Sequence, residues 1–327
     1  MPDYSATPNV LITSAGRRVS LVKFFQDATR SISGGKVFTT DLSPTMSTAC
    51  HISDKSFAVP RVSDSQYLDI LLQICKENLV SLIIPTIDTE LELLAKVRDE
   101  WQKKHQIEIV ISDVDVVRTC RNKRKTSDLF HGMGIESPTE LSAHSEVFPR
   151  FVKPLAGSRS VDIHKIDSLD MMQSKYLDSS KYIQQELVDT NEFSEFTVDA
   201  FYTTQGELTC LVPRQRIEVR DGEISKGRTQ KGQLVSLLNQ KLSNFPGARG
   251  VLTFQFFVKM DSALTPVEIL GIEINPRFGG GYPLTHAAGA EYVDWIVRGH
   301  FENEVTEYFD QWRDGLTMLR YDAEIFF

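Results

Sequence analysis

Residues 271–281 read Gly-Ile-Glu-Ile-Asn-Pro-Arg-Phe-Gly-Gly-Gly and are the most informative stretch of the chain. Side chains alternate between the two faces of a strand, so Glu273 and Asn275 point to one face and the two isoleucines point to the other. A carboxylate and an amide oxygen on one face suit a hard cation such as Mg²⁺. Arg277, beside a glycine run, suits phosphate oxygens. Taken alone, the stretch is as typical of a strand end punctuated by Asn-Pro and Gly as of a metal–nucleotide site.

The composition is that of an ordinary soluble globular protein, with 41% hydrophobic and 24% charged residues in 327. This length allows two domains. No run approaches the roughly 20 apolar residues of a membrane span, and the polar first nine residues do not resemble a signal peptide. The net charge of −8 argues against a nucleic-acid surface. We therefore expect a cytoplasmic protein that binds neither nucleic acid nor membrane.

The four cysteines are scattered, without a C-x-x-C pair, at positions 50, 75, 120 and 210. This spacing is not that of a disulfide framework or a zinc knuckle. Free cysteines fit a reducing compartment.

The order of elements changes along the chain. Strand–helix–strand alternation over the first 110 or so residues predicts an open, mostly parallel sheet. Strands predominate from Tyr182 onwards, and a closing helix is predicted over 287–300. We therefore predict a parallel α/β unit followed by an antiparallel-rich α+β unit.

Two lysines are candidates for binding phosphate. Lys153 ends an apolar strand and is followed by a segment rich in small residues, whose backbone N–H groups suit phosphate oxygens. Lys123 lies between two predicted helices. The P-loop pattern G-x-x-x-x-G-K-[ST] is absent. A lysine that merely precedes a polar turn is the alternative.

Two neighbouring strands carry acidic residues. Backbone groups of Glu186 and Val188 suit an adenine edge, and Glu195 suits ribose hydroxyls, although acidic hairpins are also common without such a role. In the predicted strand 251–258, Gln255 is a polar side chain among aromatic ones. If the chain turns back after this strand, Gln255 faces Glu273, where metal ligation and a plain amide hydrogen bond are both open.

Basic residues follow in two places. Arg214 and Arg216 share one face of a strand end, and Lys226 lies in a glycine-containing segment with Arg228. Two interpretations of these basic residues are open. They are either solvated surface charges or they bind a reacting phosphate or carboxylate. At the first strand–helix turn, Gly16 is followed by two arginines, but the G-x-G-x-x-G fingerprint of dinucleotide folds is missing.

Taken in order, these segments resemble the ATP-grasp superfamily, most closely its carbamoyl-phosphate-synthase-like branch, over nearly the whole chain. The resemblance implies a Rossmann-like pre-ATP-grasp domain at 1–113 and a two-lobed ATP-grasp domain at 114–327. The first lobe is expected at about 114–183 and the second at about 184–327.

The resemblance also implies a role for each matching residue. ATP is expected to contact Lys123, Lys153, Gly157, Ser158, Glu186, Leu187, Val188 and Glu195. Two Mg²⁺ (or Mn²⁺) ions are expected on Gln255, Glu273 and Asn275. Arg277 is expected at the γ-phosphate or acylphosphate. Beyond the resemblance, we expect Arg214, Arg216 and Lys226 to contact the substrate and the intermediate.

The activity implied is that of a ligase that joins a small carboxylate to an amine or similar nucleophile through an acylphosphate. The alternatives are a phosphotransferase that forms an acyl or carbamoyl phosphate, or an ATP-binding subunit of a larger synthetase. Only one of the two ATP-grasp halves of carbamoyl phosphate synthetase is present. A homodimer is possible. The acid, the nucleophile and any need for a separate amidotransferase are not indicated by the sequence.

Overall fold

The structure is a computed structural model that describes residues 9–157, 162–220 and 222–327. Ser158, expected to cover the phosphates, lies outside the described residues. The described chain contains three sheets, of five, three and six strands.

The first sheet is parallel and has the strand order β3-β2-β1-β4-β5. Its strands are β1 (Asn9–Ile12), β2 (Val37–Asp41), β3 (Lys55–Ala58), β4 (Val80–Ile84) and β5 (Glu108–Ile109). The associated helices are α1 (Val19–Ser33), α2 (Thr48–Ile52), α3 (Tyr67–Glu77) and α4 (Asp88–His105). Every residue of β1 and β4 is buried, as expected where helices cover both faces of a parallel sheet. The predicted Rossmann-like sheet is confirmed, and its strand order reverses between β1 and β4, where such sheets bind ligands.

The second sheet is small and follows two helices. The helices are α5 (Val114–Arg121) and α6 (Lys123–Gly132), and the strands are β6 (Arg150–Pro154), β7 (His164–Ile166) and β8 (Tyr182–Glu186). The central strand β6 pairs antiparallel with both neighbours. A small core of Val152, Ile166 and Tyr176 lies on it.

The third sheet is antiparallel and has the order β13-β12-β9-β10-β11-β14. Its strands are β9 (Phe193–Tyr202), β10 (Leu208–Arg220), β11 (Glu223–Thr229), β12 (Gly250–Met260), β13 (Pro266–Asn275) and β14 (Thr317–Leu319). The remaining helices are α7 (Gln233–Leu242), α8 (Tyr282–Ala287) and α9 (Tyr292–Glu302). Short 3-10 helices occupy Pro44–Met46, Leu169–Met171 and Ser174–Leu177. The predicted combination of an α/β unit with a two-lobed α+β unit is confirmed.

The two faces of the third sheet differ in chemistry. On one face, Phe254, Phe256 and Ile274 are buried in a core with Phe130 of α6. A side chain at Gly271 would place its Cβ 2.3 Å from the Phe130 ring, so only glycine lets this helix lie so close. Burying each large apolar side chain contributes about 1.5–3 kcal/mol. The apolar face therefore anchors the sheet and leaves the opposite, polar face for the site.

The closing helix differs from its prediction. A single helix was expected over 287–300, but the chain forms α8 and α9 with a break at Gly289, whose φ is +99°. Glycine takes this conformation easily, and it stops α8. Helix α9 then packs against α1, joining the two architectural units. No helix among the described residues is long and apolar enough to cross a membrane.

Candidate functional site

The polar face of the third sheet collects the expected metal ligands. The turn after β12 brings β13 back antiparallel, and Gln255 lies directly opposite Glu273. Asn275 follows two residues later on the same face. On the other side of β12, Gln255 is opposite Thr197 of β9. Three oxygen-bearing side chains therefore lie together, two of them on one strand.

The two expected phosphate lysines lie near this face. Lys123 begins α6, whose N-cap Asn122 accepts hydrogen bonds from two backbone N–H groups. Lys153 lies on β6 and is only 5% exposed. Burial and the neighbouring Lys123 lower the pKa of Lys153 to about 8, while Glu273 opposes the shift. Burial likewise lowers the pKa of Lys123. The structure thus brings both lysines to Glu273 at the meeting of the small and large sheets.

A narrow cavity lies beside Lys123 and Glu273. Its volume is about 20 Å³, close to that of one or two water-sized probes. Lys123 Nζ donates to the Gly157 carbonyl at 3.4 Å along its wall. The lining residues are Asp88, Cys120, Arg121, Lys123, Gly157, Glu273, Ile274, Asn275 and Pro276. The cavity therefore touches the first unit through Asp88 and the third sheet through Glu273.

Glu195 and Arg216 extend the polar face. Arg216 Nη1 lies 3.0 Å from Glu195 Oε1 and donates to Gln255 Oε1 at 3.4 Å. Burial raises the pKa of Glu195, with Arg216 opposing and Glu273 reinforcing the shift. We call Glu195, Arg216, Gln255 and Glu273 the open cluster, because it adjoins the cavity.

The expected adenine-binding segment begins where β8 ends. Glu186 is held to residue 139 twice, through its backbone N–H and its carboxylate. Leu187 and Val188 follow the last paired residue of the strand and are half-buried. Residues 187–188 therefore lie beside the small sheet but outside its strand pairing.

Arg214 is fully buried. It was expected to meet the reacting groups, but its side chain is 0% exposed and pairs with the equally buried Asp199 at 2.9 Å. Thr253 and Thr285 also donate to Asp199. We call these four residues the sealed cluster. The Nε and Nη1 of Arg214 have no hydrogen-bond partner among the described residues, and its expected contact with the reacting groups stays a prediction.

Lys226 is not among the residues that line the cavity. It pairs with Glu218 across the β10–β11 hairpin at 2.6 Å, and both side chains are about half exposed. Its neighbour Arg228 donates to Thr317 of β14. The expectation that Lys226 contacts the reacting groups has no support in these contacts, and the geometry is that of a solvated pair.

Arg277 has a partner that was not foreseen in the sequence. Its Nε and Nη2 each donate to an oxygen of Asp88 at 2.8 Å, and Nη1 donates to the Phe278 carbonyl. Burial alone would raise the pKa of Asp88, but the guanidiniums of Arg277, Arg121 and Arg18 outweigh it, and the pKa is lowered. Asp88 thus stays ionised and joins the first unit to the end of β13.

Sequence reasoning missed Arg121, which lines the cavity, and Asp199, the buried partner of Arg214. Asp199 follows Glu195 and Thr197 in strict alternation, so its position on the polar face could have been predicted. Arg121, which donates to the Asp88 backbone carbonyl, directly precedes the Asn122-Lys123 pair. The sequence carries no signal that connects Arg121 to Asp88.

The oxygen donors fit a hard cation that arrives with a nucleotide. Among the described residues there is no group of three His, Cys, Asp or Glu side chains arranged to hold a metal. The cluster offers one carboxylate, Glu273, beside the amide oxygens of Gln255 and Asn275. Mg²⁺ is commonly held by one or two carboxylates together with substrate phosphates, and seldom by protein ligands alone.

Family models match two parts of the chain. Residues 10–115 match the PylC-like N-terminal domain, and residues 185–323 match an ATP-grasp domain described as belonging to a biosynthetic pathway with the Ter operon. A carbamoyl-phosphate synthase from Methanobrevibacter smithii is 23% identical over 255 residues, covering 72% of this chain. The chain spans 66% of the length of that relative.

Solved structures share the fold. The biotin carboxylase domain of Hydrogenobacter thermophilus 2-oxoglutarate carboxylase, solved with MgADP and bicarbonate, aligns with a TM-score of 0.72 at 13% identity, covering 95% of this chain and 73% of that one. L-amino acid ligase from Bacillus licheniformis aligns with a TM-score of 0.65 at 14% identity, covering 90% and 74%. Residues 10–115 thus match a PylC-like N-terminal domain, residues 185–323 match an ATP-grasp domain, and the chain has the fold of ATP-grasp enzymes.

Proposed function

We propose that the protein is an ATP-dependent ligase that joins a small carboxylic acid to an amine or similar nucleophile. The acid would attack the γ-phosphate of ATP to give an acylphosphate and ADP. The nucleophile would then attack the acyl carbon and release phosphate. The observation that carries the proposal is a cavity lined by Lys123, Glu273 and Asp88, with the buried Lys153 close enough for Lys123 and Glu273 to act on its pKa.

The proposed chemistry relies on positioning and charge neutralisation. Lys123 and Lys153 bind phosphate oxygens, and backbone groups of 186–188 meet the adenine. Glu195 binds the ribose, and Gly157 lies beside the phosphates, where its carbonyl accepts from Lys123. Such preorganised charges stabilise a transferred phosphoryl group without a protein nucleophile.

Glu273, Gln255 and Asn275 are the proposed ligands of Mg²⁺, which when bound neutralises charge on the phosphates. The single carboxylate predicts that the protein alone binds the ion weakly and that nucleotide strengthens the binding. The number of ions, expected to be two, stays a prediction. With Glu273 as the single carboxylate of the set, a second ion would depend mainly on the phosphates of the nucleotide.

Arg277 and Arg216 complete the proposed site. Arg216 lies in the open cluster beside Gln255 and suits the developing charge on the phosphoryl group. Arg277 has most of its N–H groups engaged by Asp88 and Phe278. We therefore propose that Arg277 contacts the acylphosphate through its remaining N–H while Asp88 fixes its plane.

The test is ADP release from ATP with a panel of small carboxylic acids, each with and without an amine. A ligase gives phosphate release that depends on both substrates, together with a coupled product detected by mass spectrometry. Binding of MgATP without turnover on any pair would refute the ligase proposal and leave a nucleotide-binding subunit.

The second candidate function is formation of an acyl or carbamoyl phosphate, which the similarity to a carbamoyl-phosphate synthase favours. Product analysis separates the two candidates. An acylphosphate that hydroxylamine traps and that accumulates without any effect of amines would support the phosphotransferase. Amine-dependent consumption of the trapped species would support the ligase.

A further inference from the structure

Both amide side chains of the proposed metal set have their oxygens hydrogen-bonded to arginines. Gln255 Oε1 accepts from Arg216 Nη1 at 3.4 Å, and Asn275 Oδ1 accepts from Arg277 Nη2 at 3.3 Å. The oxygen is the atom of an amide side chain that a hard cation binds. The two amide oxygens of the metal set therefore already have positively charged neighbours.

Arg277 is firmly held at its position beside Asn275. Its Nε and Nη2 donate to the two oxygens of Asp88, each at 2.8 Å, and its Nη1 donates to the Phe278 carbonyl at 3.1 Å. All three nitrogens of the guanidinium are engaged, two of them in the bidentate geometry that strengthens an arginine–carboxylate pair. This arginine therefore has little reason to leave its partners.

Arg216 is held less completely, although its side chain is only 9% exposed. Its Nη1 lies 3.0 Å from Glu195 Oε1, and its Nη2 donates to the Gly222 carbonyl at 3.2 Å. Its Nε is buried and has no hydrogen-bond partner among the described residues. A buried N–H without a partner is unfavourable, and phosphate oxygens would satisfy it. Arg216 is therefore the arginine that a bound nucleotide can draw away.

The charges around Glu273 act in the same direction as Arg216. Lys123 and Lys153 both lie close enough to Glu273 for its carboxylate to act on their pKa values. With Arg216 beside Gln255, directly across from Glu273, positive groups lie around the single carboxylate of the metal set. They repel a divalent ion that comes alone, whereas an ion bound to the phosphates of ATP arrives in a complex with net negative charge.

We propose that Arg216 makes the metal site selective: it keeps a free divalent ion away from Gln255 and releases Gln255 to an ion that arrives on nucleotide phosphates. This inference rests on the proposed function, because it assigns a specificity-determining role to a residue of the same site. A single carboxylate alone predicts weak binding of the free ion, whichever side chain stands at position 216. The present inference predicts in addition that removing Arg216 strengthens the binding of the free ion.

The experiment compares two probes, Mn²⁺ alone and Mn²⁺ bound to the non-hydrolysable ATP analogue β,γ-imido-ATP. Calorimetry measures the affinity of the wild type, Arg216→Met and Arg228→Met for each probe. Arg228→Met is the matched control, because it removes an exposed arginine from the neighbouring strand β11, where the side chain donates to Thr317. Thermal melts establish that each variant is folded.

We expect Arg216→Met to bind free Mn²⁺ about tenfold or more tightly than the wild type does, because a positive charge beside the ion is removed. Its affinity for the complex of Mn²⁺ with the ATP analogue should be unchanged or lower, so its preference for the complex falls by at least the same factor. Arg228→Met should keep the wild-type affinity for both probes. If Arg216→Met binds free Mn²⁺ no more tightly than the wild type, Arg216 does not exclude the ion.

Removing Arg216 also frees the carboxylate of Glu195, so a second variant identifies the ligand that is responsible for any gain. In Arg216→Met/Gln255→Leu the gain in affinity for free Mn²⁺ should be lost, because the amide oxygen that Arg216 held is gone. A gain that persists in this folded variant would place the ion on Glu195 and overturn the inference.

A turnover assay on the wild type distinguishes this inference from the proposed function. Tighter binding of free Mn²⁺ by Arg216→Met, without amine-dependent ADP release by the wild type for any acid, would refute the ligase and keep the selectivity of the metal site. Amine-dependent release by the wild type, with equal affinity of Arg216→Met and the wild type for free Mn²⁺, would keep the ligase and refute the selectivity.

Discussion

Two polar groups lie side by side on the same face of the six-stranded sheet, yet they are suited to different tasks. The open cluster of Glu195, Arg216, Gln255 and Glu273 reaches the cavity through Glu273, which lies near the two proposed phosphate ligands Lys123 and Lys153. The sealed cluster of Asp199, Arg214, Thr253 and Thr285 is entirely buried. Arg214 and Arg216 differ by two positions and share a strand face, so strand geometry alone does not separate them.

The difference lies in what covers the sheet. The glycine run and α8 lie over the sealed cluster, and a Cβ at Gly281 would come within 2.0 Å of Arg214 Nη1. A Cβ at Gly279 would come within 2.9 Å of Thr253. The glycines let the backbone lie directly on the buried pair. A polar face thus becomes a site only where the chain leaves it uncovered.

The largest effect should come from the open cluster. Glu273→Gln removes the only carboxylate of the proposed metal set, and we expect kcat to fall on the order of a thousandfold. The free energy of unfolding should change little. Glu268→Gln, an exposed carboxylate on the same strand, is the control and should keep wild-type turnover. ADP release assays at saturating Mg²⁺ measure both. Wild-type turnover in Glu273→Gln would remove the metal assignment.

The sealed cluster should respond in the opposite way. Arg214→Met leaves the Asp199 carboxylate buried without its counter-charge, and we expect a loss of about 3–5 kcal/mol in the free energy of unfolding. Replacing both partners, as Arg214→Met with Asp199→Leu, removes the buried charge and should be less destabilising than the single change. Urea unfolding measures both. A stable Arg214→Met protein with lost turnover would return Arg214 to the catalytic residues.

How far the sequence predicted these clusters depends on the range of the contacts. Alternation along β12 and β13 correctly paired Gln255 with Glu273, because an antiparallel turn of a few residues fixes which residues are opposite. The parallel sheet was likewise predictable from strand–helix alternation. Local periodicity was sufficient wherever the partners were neighbours in sequence.

Contacts between residues far apart in sequence could not be predicted in this way. Asp88 and Arg277 are 189 positions apart, and nothing in either local pattern links them. The glycine run was interpreted only as the flexible neighbour of Arg277, whereas it lies in close contact with Arg214. The sequence shows that a residue lacks a side chain, but only the packed chain shows what occupies that space.

The packing of the glycine run against the sealed cluster can be tested by adding one methyl group. Gly281→Ala would force Arg214 or the backbone to shift, and we expect a loss of about 1–3 kcal/mol in the free energy of unfolding. Gly132→Ala is the matched control, because nothing lies within 4 Å of its added Cβ and it is helical. That variant should be neutral or more stable by about 0.5–1 kcal/mol. Equal stability of the two variants would mean that the glycine run is not closely packed against the sealed cluster.

The smallest effect, a pH dependence, should separate the clusters through Lys153. Its pKa is lowered to about 8 from 10.5, so between these values the unfolded chain holds a proton that the folded chain has lost. The free energy of unfolding should therefore rise with pH across this window. Affinity for MgATP should fall over the same window, by up to about tenfold per pH unit, because a neutral lysine no longer attracts phosphate.

Two substitutions isolate this lysine from other titrating groups. Lys153→Met should remove most of both trends and leave the share of Lys123, whose pKa is also lowered, and Lys153→Arg, which stays protonated, should reduce the loss of MgATP affinity above pH 8. Arg214→Met, in the sealed cluster, should leave the pH dependence of MgATP affinity as it is in the wild type. Calorimetric titrations across the window give the comparison. If Lys153→Met and the wild type show the same pH dependence, Lys153 does not bind the phosphates, and the open cluster loses the neighbouring cation that sets it apart from the sealed cluster.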